Sequence, residues 1–174
     1  VNEVLKANAA LPLGYIPSGS TNDFASTLGL SKKFIESAQT IVSNPPRPVD
    51  VGRFEHRYFI YVASFGAFTQ TSYTAPQSLK NSLGHFAYVI EGIKELPQLK
   101  AYRVKVETDQ GVQEGEYLFG AVSNSTSLGG MVKIDPKEMA LDDGLFELIL
   151  VKNPQNLLEL HKTIASLKTG SFDP

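Results

Sequence analysis

The nine residues PSGSTNDFA, Pro17 to Ala25, decide how the first part of this chain is read. They come after a short apolar run, residues 11–16, bounded by turn-forming residues, which predicts a buried parallel strand. They precede a helix-like pattern over residues 22–28 that Gly29 closes, with Ser20 or Thr21 as its N-cap. A strand that passes through a Gly-containing polar loop into a helix N-terminus leaves free N–H groups pointing outward, where the helix dipole favours negative charge. Gly19 permits close approach to the backbone. Asp23 suits the dipole but would repel a bare phosphate, unless a divalent cation or bridging water stands between them. The same residues would equally make an ordinary helix cap, and their chemistry alone leaves both readings open. There is no lysine here and no GxxxxGK, so the loop is not a P-loop.

Working outward, Ser31 caps a second predicted helix with Phe34, Ala38, Ile41 and Val42 on one face. Strand, polar loop and helices make α/β grammar. Residues 44–48, NPPRP, stop it, because three prolines in five positions cannot continue a helix. A domain boundary is expected there, dividing the chain into residues 1–46 and 47–174. Beyond it the pattern is mainly β. Strands are predicted over 49–54 and 58–64, around a turn at Glu55, His56 and Arg57. Tyr102, Val104 and Val106 alternate with Arg103, Lys105 and Glu107, the pattern of a strand with one wet face. Asp109-Gln110-Gly111 turns that strand into 112–124, and 145–151 is another apolar strand. A helix over 82–96, with Leu83, Phe86, Ala87, Ile90 and Ile93 at helical spacing, ends at Pro97. Asn153-Pro154 opens a last helix carrying Leu157, Leu158, Leu160, His161, Ile164 and Leu167. The fold class is α+β: mainly an antiparallel β-sandwich with helices at its edges, preceded by a short α/β segment.

Composition narrows the function. Sixteen basic residues against eighteen acidic ones leave no basic stripe for nucleic acid. No apolar run reaches the roughly 18 residues of a membrane-spanning helix, and the first residues do not match the secretory-signal pattern of a basic region before an apolar one. With no cysteine there is neither a disulfide nor a thiol nucleophile, which fits a reducing cytoplasm. His56, His85 and His161 lack the spacing of a zinc site. Phe59, Tyr61, Phe65 and Phe68 read as strand core, or alternatively as the lining of a lipid pocket.

PSGSTNDFA with LGL shortly after it resembles the P-x-G-T-x-N-D-F-A-R-x-L-G segment of the diacylglycerol-kinase-type lipid kinases, a family that includes soluble bacterial lipid kinases and sphingosine kinase catalytic domains. Further resemblances run in order along the chain. Residues 1–4, VNEV, are similar to the segment immediately after the family's G-G-D-G-T loop. VDVGRF at 49–54, FIYVASFGAFT at 59–69, LGHFAYVIEGI at 83–93 and GGMVKIDPKEMALDDGLFELILV at 129–151 are similar to the family's later motifs. The resemblance implies an N-terminal α/β domain that holds ATP, of which residues 1–46 would be a remnant. It also implies a β-sandwich-like domain, residues 47–174, that covers lipid substrate. The implied reaction is transfer of the ATP γ-phosphoryl group to a lipid hydroxyl, most plainly diacylglycerol to phosphatidic acid. The alternative is a lipid-binding module without chemistry.

By the same resemblance, Ser20 takes the position whose hydroxyl contacts ATP, where the family usually has Thr. Ser26 replaces the usual Arg. Asp23 and Asp50 match carboxylates of a water-and-Mg²⁺ network. Asp143, with the carbonyls of Ala140 and Leu145, matches a second Mg²⁺ site, although Asp142-Asp143-Gly144 also reads as a plain turn. No residue of this chain is assigned as catalytic: the family's nucleotide loop and general base are expected outside it, so the chain is expected to be an inactive piece of a kinase. Further expectations are lipid substrate at a membrane surface, a cytoplasmic protein peripheral to the membrane, and apolar surface that pairs with a second copy.

Overall fold

The computed structural model describes residues 1–7, 11–67, 69, 100–130 and 132–170. Helix α1 spans Asn2–Lys6, α2 Asp23–Thr27 and α3 Phe34–Ser43. Strands come next as β1 (Gly52–Phe54), β2 (Arg57–Phe59), β3 (Val62–Gly66), β4 (Tyr102–Thr108), β5 (Gly111–Ser123), β6 (Ser127–Leu128) and β7 (Val132–Lys133). A 3₁₀ turn at Pro136–Glu138, strand β8 (Glu147–Lys152) and helix α4 (Leu157–Thr169) complete the described elements. The α+β class read from the sequence is the class found, and the pairs β1–β2, β4–β5 and β6–β7 are antiparallel.

The chain forms two compact units. One comprises Val1–Ala63 with Ser123–Glu147, the other Ser64–Val122 with Leu148–Pro174. In the first, Phe24, Ala25, Leu128, Val132 and Ile134 are buried. The β1–β2 hairpin turns at Glu55, whose φ is +52°. Asn2 of α1 ties itself to it: its Nδ2 donates to the Tyr58 carbonyl at 2.9 Å, and its Oδ1 accepts the Tyr58 N–H at 2.7 Å. In the second unit β5 is central, flanked by β3 and β4 and paired also with β8. Tyr117, Leu118, Ala121, Ile149 and Val151 are among its buried residues. Gly120 leaves room there for Phe65: a Cβ would run into the Phe65 ring, which meets Tyr102 edge-on at 5.9 Å. Helix α4 is capped reciprocally, with Asn156 Oδ1 accepting the Glu159 N–H and Asn156 Nδ2 donating to Glu159 Oε1, both at 2.9 Å.

Three sequence expectations change. Residues 11–16 are irregular rather than a buried strand, and Leu11, Leu13, Tyr15 and Ile16 are exposed. No neighbouring strand pairs with them among the described residues, so an extended backbone has no ladder to join. The apolar face of α3, a helix as expected, is open: Phe34, Ile41 and Val42 are exposed, and Ser37 is the buried residue of that helix. The strand expected over 58–64 breaks at Ile60 and Tyr61, leaving β2 and β3. Helix α2 starts at Asp23, with Asn22 and not Ser20 or Thr21 at the N-cap. Asn22 is left-handed (φ 56°) because its amide closes on Gly19, accepting the Gly19 N–H at 2.8 Å and donating to the Gly19 carbonyl at 2.7 Å. The helix expected over 82–96 lies outside the described residues.

Candidate functional site

Helix α2 is short, five residues, and its first turn carries Asp23 inward. A helix of this length does not hold itself; Phe24 and Ala25 are buried and Asp23 is only 9 % exposed. Its carboxylate takes three donors from two segments distant in sequence. Ser127 Oγ donates to Oδ1 at 2.6 Å and the Gly130 N–H to the same oxygen at 3.3 Å. The Tyr61 hydroxyl donates to Oδ2 at 3.1 Å while accepting the Gly129 N–H at 3.1 Å. Gly129 and Gly130 both have positive φ, +59° and +69°, which lets two successive N–H groups turn toward this cluster. The Tyr61 hydroxyl is pushed well above tyrosine's ordinary pKa, chiefly by burial; the Gly129 N–H pulls the other way and the Asp23 charge adds to the rise.

A hydroxyl network continues from it. Thr27 Oγ1 lies 2.8 Å from Ser125 Oγ and 3.0 Å from Thr126 Oγ1, and accepts the Thr126 N–H at 3.1 Å. Ser123, Asn124 and Ser125 are fully buried. Ser20 is exposed in the bend before α2. Ser26 donates to the Asn22 carbonyl at 3.1 Å, and the Lys32 ammonium reaches the Thr21 carbonyl at 3.3 Å.

Asp50 makes none of its bonds to Asp23. Its N–H donates to the Leu141 carbonyl at 2.6 Å, and its Oδ2 accepts the Gly144 N–H at 2.8 Å. Asn124 joins the same place, with Nδ2 3.4 Å from both the Asp50 and Leu141 carbonyls. Asp50 is thus held against the 141–144 loop, the loop that carries Asp143. Asp143 is exposed, and its Oδ1 accepts the Leu145 N–H at 3.0 Å. Ala140 and Leu145 are exposed as well. The Glu147 carboxyl is raised above its ordinary value first by burial, against its own N–H, and further by the Asp143 charge. Glu147 Oε2 and Asn124 Oδ1 are buried without a hydrogen-bond partner.

These geometries bear differently on Mg²⁺. Ala140, Asp143 and Leu145 offer hard oxygen ligands, and the Asp143 charge that raises the Glu147 carboxyl is what a cation would compensate, so this loop fits one. No group of three or more metal-ligating His, Asp or Glu side chains stands together among the described residues; a cation here would depend on carbonyls and water for most of its shell. Asp23 does not fit as a direct ligand, since its oxygens are buried and already hydrogen-bonded. Sequence reasoning missed Tyr61 (read as core or lipid-pocket lining), Ser127, Asn124 and Glu147. The signal was the run Ser123-Asn124-Ser125-Thr126-Ser127, five small polar residues after an apolar strand.

Comparison with known proteins places these features in a class. Residues 1–54 match the family model described as diacylglycerol kinase catalytic domain, and residues 62–173 match the one described as YegS C-terminal NAD kinase beta sandwich-like domain. The chain belongs to the diacylglycerol-kinase type of bacterial lipid kinases. A diacylglycerol kinase of Bacillus subtilis is 37% identical over 164 residues, covering 91% of this chain and 54% of that protein. One of Staphylococcus epidermidis is 40% identical over 164 residues, covering 92% and 51%. A crystal structure of a diacylglycerol kinase from Bacillus anthracis strain Sterne is similar with a TM-score of 0.58 and 25% identity, over 86% of this chain and 48% of that one. The chain spans about half the length of the relatives it matches.

Proposed function

We propose that the protein to which this chain belongs transfers the γ-phosphoryl group of ATP to the hydroxyl of diacylglycerol, giving phosphatidic acid and ADP. The observation that carries this reading is the ordered likeness of both parts of the chain to diacylglycerol kinases. In the reaction the lipid hydroxyl oxygen bonds to the γ-phosphorus, the bond to the β,γ-bridging oxygen breaks, and the hydroxyl proton passes to a base that this chain is not proposed to supply. Such transfer depends on positioning and charge neutralisation. Ser20, exposed before α2, is the hydroxyl proposed to meet the nucleotide, with the Lys32 ammonium near the same loop. Asp23 shapes that edge from within, and Asp50, held against the 141–144 loop, is proposed to serve the same nucleotide site. Mg²⁺, where bound, would neutralise phosphate charge or brace the fold; at the second site Asp143 and the carbonyls of Ala140 and Leu145 would hold it.

Residues 1–46 are proposed as part of the ATP-binding domain and 47–174 as the lipid-covering domain. Lipid would be met at the membrane surface, from the cytoplasmic side. No helix among the described residues is long and apolar enough to cross a membrane. A second copy of the chain is the proposed cover for the exposed apolar residues of α3.

The test is phosphoryl transfer by the product of the whole surrounding coding sequence. It would be incubated with radiolabelled ATP, Mg²⁺ and dioleoylglycerol in mixed micelles. Labelled phosphatidic acid is expected, reduced at least 10-fold by Ser20→Ala. A product that binds dioleoylglycerol micelles but labels no lipid would overturn the kinase reading in favour of the lipid-binding module.

A further inference from the structure

The Asp23 carboxylate poses a problem for any account that gives it a cation. A carboxylate offers about four lone-pair sites; here three are taken by donors from Tyr61, Ser127 and Gly130, and the residue is 9 % exposed. Two of those donors share Oδ1. Tyr61 alone occupies Oδ2, and its own orientation is set by the Gly129 N–H. A phenol between a backbone donor and a carboxylate has no rotational choice: its lone pair faces Gly129, so its proton faces Asp23. The backbone supports this placement, since Tyr61 lies in the break between β2 and β3 and its carbonyl accepts the Asn124 N–H at 2.9 Å.

We infer that Tyr61 is the positioning residue of Asp23: its hydroxyl takes one lone pair of Oδ2 and, together with the burial of the residue, holds the carboxylate as a clamp between α2 and the 127–130 turn rather than as a direct cation ligand. What reaches nucleotide or Mg²⁺ at this edge is then the loop before α2, shaped by the clamp, and not the Asp23 oxygens. The inference rests on the kinase reading only for its meaning in the reaction; the clamp itself is a property of this chain and is tested on it.

The experiment is a urea-unfolding cycle on the 174-residue chain with Tyr61→Phe, Asp23→Asn and the double variant. Losing a hydrogen bond to a charged acceptor raises the unfolding constant about 10-fold. That factor is expected for Tyr61→Phe in the Asp23 background and a factor below about 3 in the Asp23→Asn background. Equal factors in both would mean that the tyrosine acts by packing alone and would overturn the inference. Should a variant carrying Asp23→Asn fail to fold, amide exchange decides: in Tyr61→Phe the Gly129 amide is expected to exchange at least about 10-fold faster, and an unchanged rate would refute the arrangement. Mn²⁺ titration monitored by its paramagnetic resonance adds a readout that packing does not move. Wild type and Asp23→Asn are expected to bind Mn²⁺ equally, or neither to bind it. A 10-fold loss of affinity on Asp23→Asn would show the carboxylate to be a ligand and would overturn the clamp. None of these outcomes depends on whether lipid is phosphorylated, so failure of the kinase reading and failure of the clamp are separable.

Discussion

Replacing Asp23 by alanine removes one acceptor and strands three donors, and their surroundings set the cost. The Gly130 N–H is on an exposed residue and turns to water at little expense. The Ser127 hydroxyl, at 2.6 Å, and the Tyr61 hydroxyl, at 3.1 Å, are on half-buried residues. Hydrogen bonds to a charged acceptor contribute about 1.5–3 kcal/mol each. Taking the lower bound for both, because each keeps some access to water, gives about 3 kcal/mol. For a chain of this length each kcal/mol moves Tm by about 2–4 °C. Asp23→Ala is therefore expected to melt about 6–12 °C below wild type by circular dichroism. Asparagine keeps the shape and one oxygen for Ser127 and Gly130, so Asp23→Asn is expected to lose about 1 kcal/mol. A shift below 2 °C for Asp23→Ala would refute the reasoning, because it would mean that the donors were never paired in solution.

Glu147→Gln is expected to raise stability at pH 8 by less than about 1 kcal/mol, since it removes a charge that burial and Asp143 disfavour but that water still partly screens. The raised carboxyl puts the wild-type deficit above the ordinary value of 4.5, so the gap should close as pH falls toward it; urea unfolding at the two pH values checks the sign. Tyr61, whose pKa is raised by burial and by Asp23, gives the opposite limb. The unfolded chain ionises near 10.0 and the folded one later, so wild type should lose stability between pH 10 and 11 more steeply than Tyr61→Phe. Gly120→Ala drives a methyl into the Phe65 ring and should cost about 1–3 kcal/mol; a Tm within 1 °C of wild type would show that Phe65 has room to move.

Local signals carried over best. The turn at Asp109-Gln110-Gly111 gave the β4–β5 hairpin in register from Tyr102↔Tyr117 to Thr108↔Gly111, because a short turn and an alternating face are properties of neighbouring residues. Asp23 was singled out from its place in the first helical turn, and it is buried there. The apolar run at 11–16 misled, since apolarity predicts burial only if something is present to bury it. Ser20 and Thr21 were good caps by composition but lost to Asn22, whose side chain alone reaches both polar groups of the Gly19 backbone.

The partners of Asp23 could not be read locally at all: they lie 38, 104 and 107 positions away. What the sequence did hold was a cost. Five consecutive small polar residues, Ser123 to Ser127, end a strand whose earlier positions bury Leu118 and Ala121, and three of the five are fully buried. Burying such groups without partners is unfavourable by a few kcal/mol, so a buried tract of this kind implies partners elsewhere in the chain. Thr27 and Asp23, four residues apart on one face of α2, are the partners of Ser125, Thr126 and Ser127, while Ser123 and Asn124 donate to the carbonyls of Tyr61, Asp50 and Leu141. The same argument makes Asn124 Oδ1 informative: Nδ2 is fixed toward the Asp50 and Leu141 carbonyls, which leaves an acceptor facing a place where no described side chain donates. Asn124→Leu would remove that orphan acceptor together with the two long contacts to the carbonyls. A stability loss below about 1 kcal/mol would show that the contacts do little more than offset the orphan. A loss above about 3 kcal/mol would show that Asn124 holds Asp50 to the 141–144 loop.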